Sequence, residues 1–293
     1  MKVTGFTFIK NAIKFDFPIQ ESILSILPLC DEIVVAVGDC NDGTRELVEA
    51  IHPTKIKIID TVWDATKNTG GIVLADETNK AFNAIGSDSD WCIYIQGDEV
   101  IHENDIEVIK QAMLKYKNAK NVDGLLFNYF HFYGSFDYIG SSNNWYSNEI
   151  RVIKNNKNIY SYKDAQGFRK GNDEKLRVKQ INASIYHYGW VREPEMMQKK
   201  INGVAKFWGG DDVNDEKNKH KVYDTTFDYS LINALEKFAG THPELMKERI
   251  KKLNWKFDFD VTYNNFSLKD KFKNLLFKLT GKRFFEYQNY KKV

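Results

Sequence analysis

Cysteine is scarce in this chain, with three residues, Cys30, Cys40 and Cys92, among 293. An odd count without C-x-x-C spacing gives no disulfide framework and argues against a zinc site, so the three read as reduced thiols of a cytosolic protein. Charge of one sign is also lacking: 42 Lys and Arg against 40 Asp and Glu leave a net charge of +2. No global field therefore points to nucleic acid. No window approaches the ~20 apolar residues of a spanning helix, and Met1 to Lys10 is too short and interrupted for a signal peptide. The expectation is a soluble, cytoplasmic protein, with peripheral attachment at the inner face of a membrane as its variant. Repeats and low-complexity tracts are missing too. What is present is 42% hydrophobic and 14% aromatic residues, a composition that folds and whose Phe and Tyr excess suggests stacking surfaces as well as core. The length accommodates one large α/β domain and a smaller appendage.

The most informative stretch is Trp91-Cys92-Ile93-Tyr94-Ile95-Gln96-Gly97-Asp98-Glu99, an apolar strand that runs into a glycine and two carboxylates. A similar strand, Glu32 to Val37, opens onto Gly38, Asp39 and Asn41-Asp42-Gly43-Thr44. Two buried strands ending in Gly and Asp suggest one shared cleft. Around them, residues 3–9 read as a strand, 19–27 as a helix, a helix starts near Thr44, 55–60 is a strand and 72–85 a helix. This alternation predicts a parallel sheet with right-handed crossovers, a nucleotide-binding half.

After a helix at about 103–117 the pattern changes to shorter β pieces at 124–133, 149–153, 159–162 and 178–188, a mixed-sheet half with long loops suited to a second substrate. From Glu195 to about Lys252 the chain reads as helical and charged, with a loop at Gly209-Gly210-Asp211-Asp212. The tail from Ser267 to Val293 sets Lys269, Lys271, Lys273, Lys278, Lys282, Arg283, Lys291 and Lys292 among Phe272, Leu275, Leu276, Phe277, Leu279, Phe284 and Phe285. Either it lies on an anionic membrane surface, or it packs on the domain with its lysines outward, the arrangement favoured for a terminal helix. The domain division expected is 1–205 for the core and 206–293 for a helical extension.

The order of these pieces resembles the family-two glycosyltransferases, which have the GT-A fold. The matching residues are Glu32 to Val37, Asp42-Gly43-Thr44, Asn79-Lys80-Ala81, Asp90-Trp91 and Gln96-Gly97-Asp98-Glu99. Asn148 to Ile153 and Tyr186-His187-Tyr188-Gly189-Trp190 are similar to the subgroup containing lipopolysaccharide core transferases. The resemblance spans roughly residues 3–205. It implies a mostly parallel Rossmann-like sheet flanked by helices, a UDP- or GDP-linked sugar donor, Mn²⁺ or Mg²⁺, and a cell-surface glycan or lipid-linked acceptor.

By that resemblance the strand tip holds ribose and metal with an Asp-x-Asp motif, for which this chain has Gln96-Gly97-Asp98. Gln96 can bond a ribose hydroxyl but brings no charge, so Asp98 becomes the principal metal ligand, with Glu99 orienting and His187 as a late ligand. Capping a following helix is the plainer role for Asp98, and a packed ring the plainer role for His187. The family's base-binding Asp falls at Val37, so either Asp39 takes the nucleoside or the base is recognised differently. Asn79 and Arg169 are placed at the donor; Arg169, Lys170 and Arg192 read either as partners of its phosphate oxygens or as solvated charges, and Trp145, Tyr146 and Trp190 either as stacking on the acceptor or as buried packing. Inversion needs a general base from the second half; Asp164 is the candidate, Glu149 and Asp173 its competitors.

Two other functions compete. A nucleotidyltransferase would carry a Gly-rich, Arg-containing N-terminal loop, and Val3 to Asn11 has only Gly5. The serious rival is a non-catalytic nucleotide-sugar or glycan-binding protein, because Gln96 and Val37 both depart from the family pattern.

Overall fold

The computed structural model describes residues 1–142, 145–209, 226–232, 234–280 and 287–293. Its first half runs β1 (Val3–Ile9), α1 (Ile19–Ile26), β2 (Glu32–Gly38), α2 (Thr44–Ile51), β3 (Ile56–Thr61), α3 (Ile72–Asn83) and β4 (Trp91–Tyr94). The strands lie in the order β3-β2-β1-β4, all parallel. Parallel neighbours need crossovers, which the helices supply. Strand alternation explains why β2 reads as an unbroken apolar run. Ile33, Val35 and Val37 enter the core under α1 with Ile19, Ile23 and Ile26, while Val34 and Ala36 enter the opposite core with Ala81 and Phe82 of α3.

The second half runs β5 (Glu99–Ile101), α4 (Ile106–Tyr116), β6 (Gly124–Tyr133), β7 (Tyr138–Gly140), β8 (Asn148–Lys154), β9 (Ile159–Tyr162), β10 (Gly167–Lys170) and β11 (Glu174–Trp190). After it come α5 (Pro194–Ala205), β12 (Leu235–Lys237), α6 (Lys247–Lys251), α7 (Leu268–Thr280) and β13 (Tyr290–Lys292). β8 inserts antiparallel between β4 and β6, β6 pairs parallel with β11, and β10 and β9 continue antiparallel. The fold is α/β, with a parallel first half and a mixed second half.

Two expectations change. The stretch to Lys252 is not uniformly helical: Leu235–Lys237 is a strand, because it finds the edge of β7. The tail is not only a helix either, since Tyr290–Lys292 pairs with β11 at Leu176 to Val178. On α7 the side chains of Leu268, Phe272 and Leu275 are 86%, 57% and 53% exposed. Asp211, Asp212, Lys282, Arg283, Phe284, Phe285 and Glu286 lie outside the described residues, as do the side chains of Leu276, Phe277, Lys278 and Leu279.

Candidate functional site

Parallel strands present all their carboxyl ends on one edge, and a cavity of about 390 Å³ opens there. Ile9, Lys10 and Asn11 follow β1, Trp63 follows β3, and Gln96, Gly97 and Asp98 follow β4. The far wall comes from the second half: Asp164 from the β9–β10 turn, His187 and Trp190 from β11, and Lys200 from α5. Phe207 and Trp208 extend α5 over an otherwise apolar, aromatic interior.

Asp98 caps no helix; the short 3₁₀ turn Glu103–Asp105 is capped by His102. Its backbone carbonyl accepts from Tyr188 N at 2.8 Å, which clamps the strand tip to β11. The side chain lies 3.7 Å from His187 Nε2 through Oδ1 and accepts from Lys200 Nζ at 3.3 Å through Oδ2. Burial opposes its ionisation, but Lys200, His187 and Arg192 outweigh burial and hold the carboxyl at about 2. Burial lowers the pKa of His187 against the opposing pull of Asp98 and Glu99, which favours the ring form whose nitrogen can act as a ligand. Gly189 is required beside them, because a Cβ there would come within 2.3 Å of His187 Nε2 and 2.9 Å of Asp98 Oδ2.

Asp164 sits between two non-glycine residues in the left-handed region, Lys163 at φ 54° and Ala165 at φ 61°. A turn strained in this way costs on the order of 1–3 kcal/mol per residue, which neighbouring structure must hold. Gln96 Nε2 does so by donating to Ala165 O at 3.3 Å, so the strand tip and the Asp164 turn are tied together. Gly71, at the start of α3 with φ 70°, makes room: a Cβ there would lie 2.9 Å from Asp164 Cβ. Burial raises the Asp164 pKa, the direction a general base requires.

The other assigned residues separate from this group. Asp39 stands exposed at the rim, accepting from Lys10 Nζ at 2.6 Å and Trp63 N at 3.3 Å. Asn79 is spent on the backbone of Ser161, donating at 3.0 Å and accepting at 2.7 Å, so it joins α3 to β9 rather than lining the cavity. Arg169 points away, donating to Asn289 O at 2.5 Å and Tyr287 OH at 3.0 Å. Lys170 binds Asp123 at 2.9 Å. Of the competing bases, Glu149 is buried against Asn289 and Asp173 is a surface partner of Arg169 at 3.4 Å. Trp190 lines the cavity, whereas Trp145 and Tyr146 pack on His131 with ring centres at 4.8 and 4.4 Å.

Sequence reasoning missed Lys200, Trp63 and Arg151. Lys200 lies in a charged helix where nothing marks it from Lys199. Trp63 packs on Phe8 and Phe207 at 5.8 and 5.2 Å, and its indole N–H is buried without a partner among the described residues. Arg151 forms a fully buried pair with Glu99, at 2.7 Å from Nε and 2.5 Å from Nη2, which makes Glu99 the internal brace of the strand tip.

Asp98 is an oxygen donor of the kind that both Mn²⁺ and Mg²⁺ take, whereas the His187 nitrogen suits Mn²⁺ better than the oxygen-seeking Mg²⁺. Among the described residues no three His, Cys, Asp or Glu side chains gather as a metal cluster. The pair therefore fits an ion that completes its shell with substrate phosphates and water.

No protein-family model and no curated protein matches the sequence. Among solved structures, the chain is similar to S. aureus TarS 1-349, with 12% identity over 71% of this chain and 65% of that one, at a TM-score of 0.40. Glucosyl-3-phosphoglycerate synthase from Mycobacterium tuberculosis, in complex with Mn²⁺, uridine diphosphate and phosphoglyceric acid, matches at 14% identity over 44% of this chain and 43% of that one, TM-score 0.31. 4-Diphosphocytidyl-2C-methyl-D-erythritol synthase from Anaerococcus prevotii matches at 12% over 62% and 89%, TM-score 0.34. The chain spans less than two thirds of the TarS and glucosyl-3-phosphoglycerate synthase chains it matches. The functional reading rests on the cavity itself.

Proposed function

We propose that this protein is a glycosyltransferase that moves a sugar from a nucleotide-linked donor, UDP- or GDP-linked, to a glycan or lipid-linked acceptor, with inversion. The observation that carries it is the convergence of Gln96, Asp98, His187 and Asp164 on one aromatic cavity at the carboxyl ends of the parallel strands. The core of residues 1–205 supplies all of these groups, and residues 206–293 form the extension.

In this reading the nucleoside enters beside β1 and β3, where Trp63 offers a stacking face and Asp39 and Lys10 form the rim. Gln96 offers its amide oxygen to a ribose hydroxyl while its nitrogen holds the Asp164 turn. Asp98 and His187 would hold the divalent ion, which supplies Lewis-acid neutralisation of the diphosphate leaving group. Asp164 takes the acceptor hydroxyl's proton, its half-buried setting keeping the carboxylate basic and partly shielded from water. Trp190 gives the acceptor sugar an apolar face.

A non-catalytic binding protein would need the cavity but not a half-buried carboxylate held in it by a strained turn. Nucleotide-sugar melting screens followed by product detection decide between the two. The expected result is donor-dependent transfer that falls about 10²–10⁴-fold in Asp164→Asn with donor binding kept, as for loss of a general base. Asp98→Ala should lose both transfer and metal-linked donor binding while its melting curve stays cooperative. Undiminished turnover in either variant removes that residue from the mechanism.

The lipid-linked acceptor has separate support in α7. Leu268, Phe272 and Leu275 repeat at i, i+4 and i+7, exposed, with Lys269, Lys271 and Lys273 alongside. Cations flanking an apolar stripe match an anionic lipid surface, which is the occupant proposed for this face.

A further inference from the structure

Two cations face Asp98, the cavity-facing carboxylate of the strand tip, and both come from the chain just beyond His187. Lys200 lines the cavity with its side chain 18% exposed; its Nζ donates to Gly189 O at 2.8 Å and to Asp98 Oδ2 at 3.3 Å. Arg192 is buried behind it, donating from Nε to Phe15 O at 2.9 Å and from Nη1 to Gly189 O at 2.6 Å. Its Nη2 is buried with no hydrogen-bond partner among the described residues. Phe17 lies under both, 5.0 Å from Lys200 Nζ and 4.7 Å from Arg192 Cζ, so a ring face offsets part of their desolvation.

Asp98 is the acid that Lys200 reaches, and Arg192 adds a second positive charge beside it, while Asp16, the other acid near Arg192, is engaged by Arg249 at 2.7 Å. Buried charge in excess of its partners is costly, and an anion arriving in the cavity relieves it. The cavity wall at this point is an ammonium on a four-carbon stem, able to swing from a carboxylate at 3.3 Å to a phosphate oxygen without moving the helix. A divalent ion at Asp98 and His187 must share the carboxylate with that ammonium.

We infer that Lys200, backed by Arg192, is the resident counter-charge for the donor's diphosphate, so that nucleoside diphosphate binding persists without a divalent ion. The inference rests on the nucleotide-sugar reading above and adds a residue to it. Lys200 donates charge-assisted hydrogen bonds to the phosphates. Metal, when present, strengthens donor binding rather than creating it.

The test is calorimetric titration of UDP and GDP into the full chain, in chelator and then in Mn²⁺, for wild type, Lys200→Met and Lys200→Arg. Wild type should bind one of them in chelator within about tenfold of its affinity in Mn²⁺. Lys200→Met should lose about tenfold or more in chelator, the worth of one charge-assisted bond, and recover in Mn²⁺, while Lys200→Arg keeps metal-free binding. Wild-type binding that vanishes in chelator and returns with Mn²⁺ overturns the inference and leaves the donor site standing. Lys200→Met that binds as wild type in chelator also overturns it. No binding of either nucleotide under any condition removes the donor reading and this inference together. Should Lys200→Met fail to fold, the wild-type comparison still decides.

Discussion

Asp98 and Glu99 are neighbours in the chain, yet they face two differently built regions. Glu99 faces the core, where Arg151 reaches it at 2.7 Å, Tyr129 donates to it, and the Gln96 backbone N–H donates at 3.1 Å, all with Arg151 and Glu99 side chains 0% exposed. The Tyr94 and Tyr129 rings hold the guanidinium between them at 5.3 and 5.5 Å. Asp98 faces the cavity, where Lys200 reaches it at 3.3 Å, Arg192 keeps a buried donor unpartnered, and His187 Nδ1 is likewise buried without a partner among the described residues. One region is complete within the chain. The other keeps buried polar atoms of Arg192 and His187 without partners among the described residues. Which of two adjacent acids acts on a ligand follows from which has its valences filled internally.

The strongest way to break this comparison is on the core side. Arg151→Met leaves Glu99 buried and unpaired, which costs about 3–5 kcal/mol and should appear as a lowered denaturation midpoint. Asp98→Ala is expected to lower it less, by about 2 kcal/mol, because the fold holds the pKa of that carboxyl at about 2, below its ordinary value. If the two variants destabilise equally, Asp98 is as structural as Glu99 and the contrast fails.

Glu149 sharpens it next. This acid is buried beside Asn289, and burial pushes its pKa up to about 7, with Arg151 opposing the rise. A folded-state pKa above the ordinary carboxylate value means that the folded protein binds the proton more tightly than the unfolded chain. Its contribution is therefore fully present below pH ~4.5 and is lost as pH rises through about 7. Glu149→Gln should be more stable than wild type at pH 8 by up to about 3 kcal/mol and indistinguishable near pH 4.5. Parallel stability curves for the two proteins would show that Glu149 is ionised and paired throughout.

The smallest effect concerns the face of α7 on which Leu268, Phe272 and Leu275 are exposed. Co-sedimentation with anionic vesicles should weaken in Lys269→Gln by a factor matching about 1 kcal/mol, and disappear with neutral vesicles. Equal binding to neutral and anionic vesicles would leave the lysines without a role there.

Much of the fold was legible because it depends on local pattern. The unbroken runs of β1, β2 and β4 and the apolar spacing of α1 and α3 mark strands buried on both faces and the helices that cover them. β10 and β12 were not legible, because Gly167–Lys170 and Leu235–Lys237 are short and exist through the edges of β9 and β7 that they meet. In the site, Gln96, Asp98, His187 and Asp164 do share one cavity, while Asn79 and Arg169 are consumed by backbone groups from β9 and the tail. Their composition signalled polar chemistry without saying which neighbour would satisfy it.

The amino-acid sequence by itself determined the alternation of strand and helix, and with it the edge at which the parallel strands end in Gly and Asp, since periodicity and turn chemistry act over a few residues. Tertiary structure alone decided that Arg151 closes on Glu99, that Lys200 closes on Asp98 with Arg192 buried behind it, and that Gln96 holds the Asp164 turn. Those pairings join residues far apart in the chain, and their energies depend on burial and distance, which no local pattern carries.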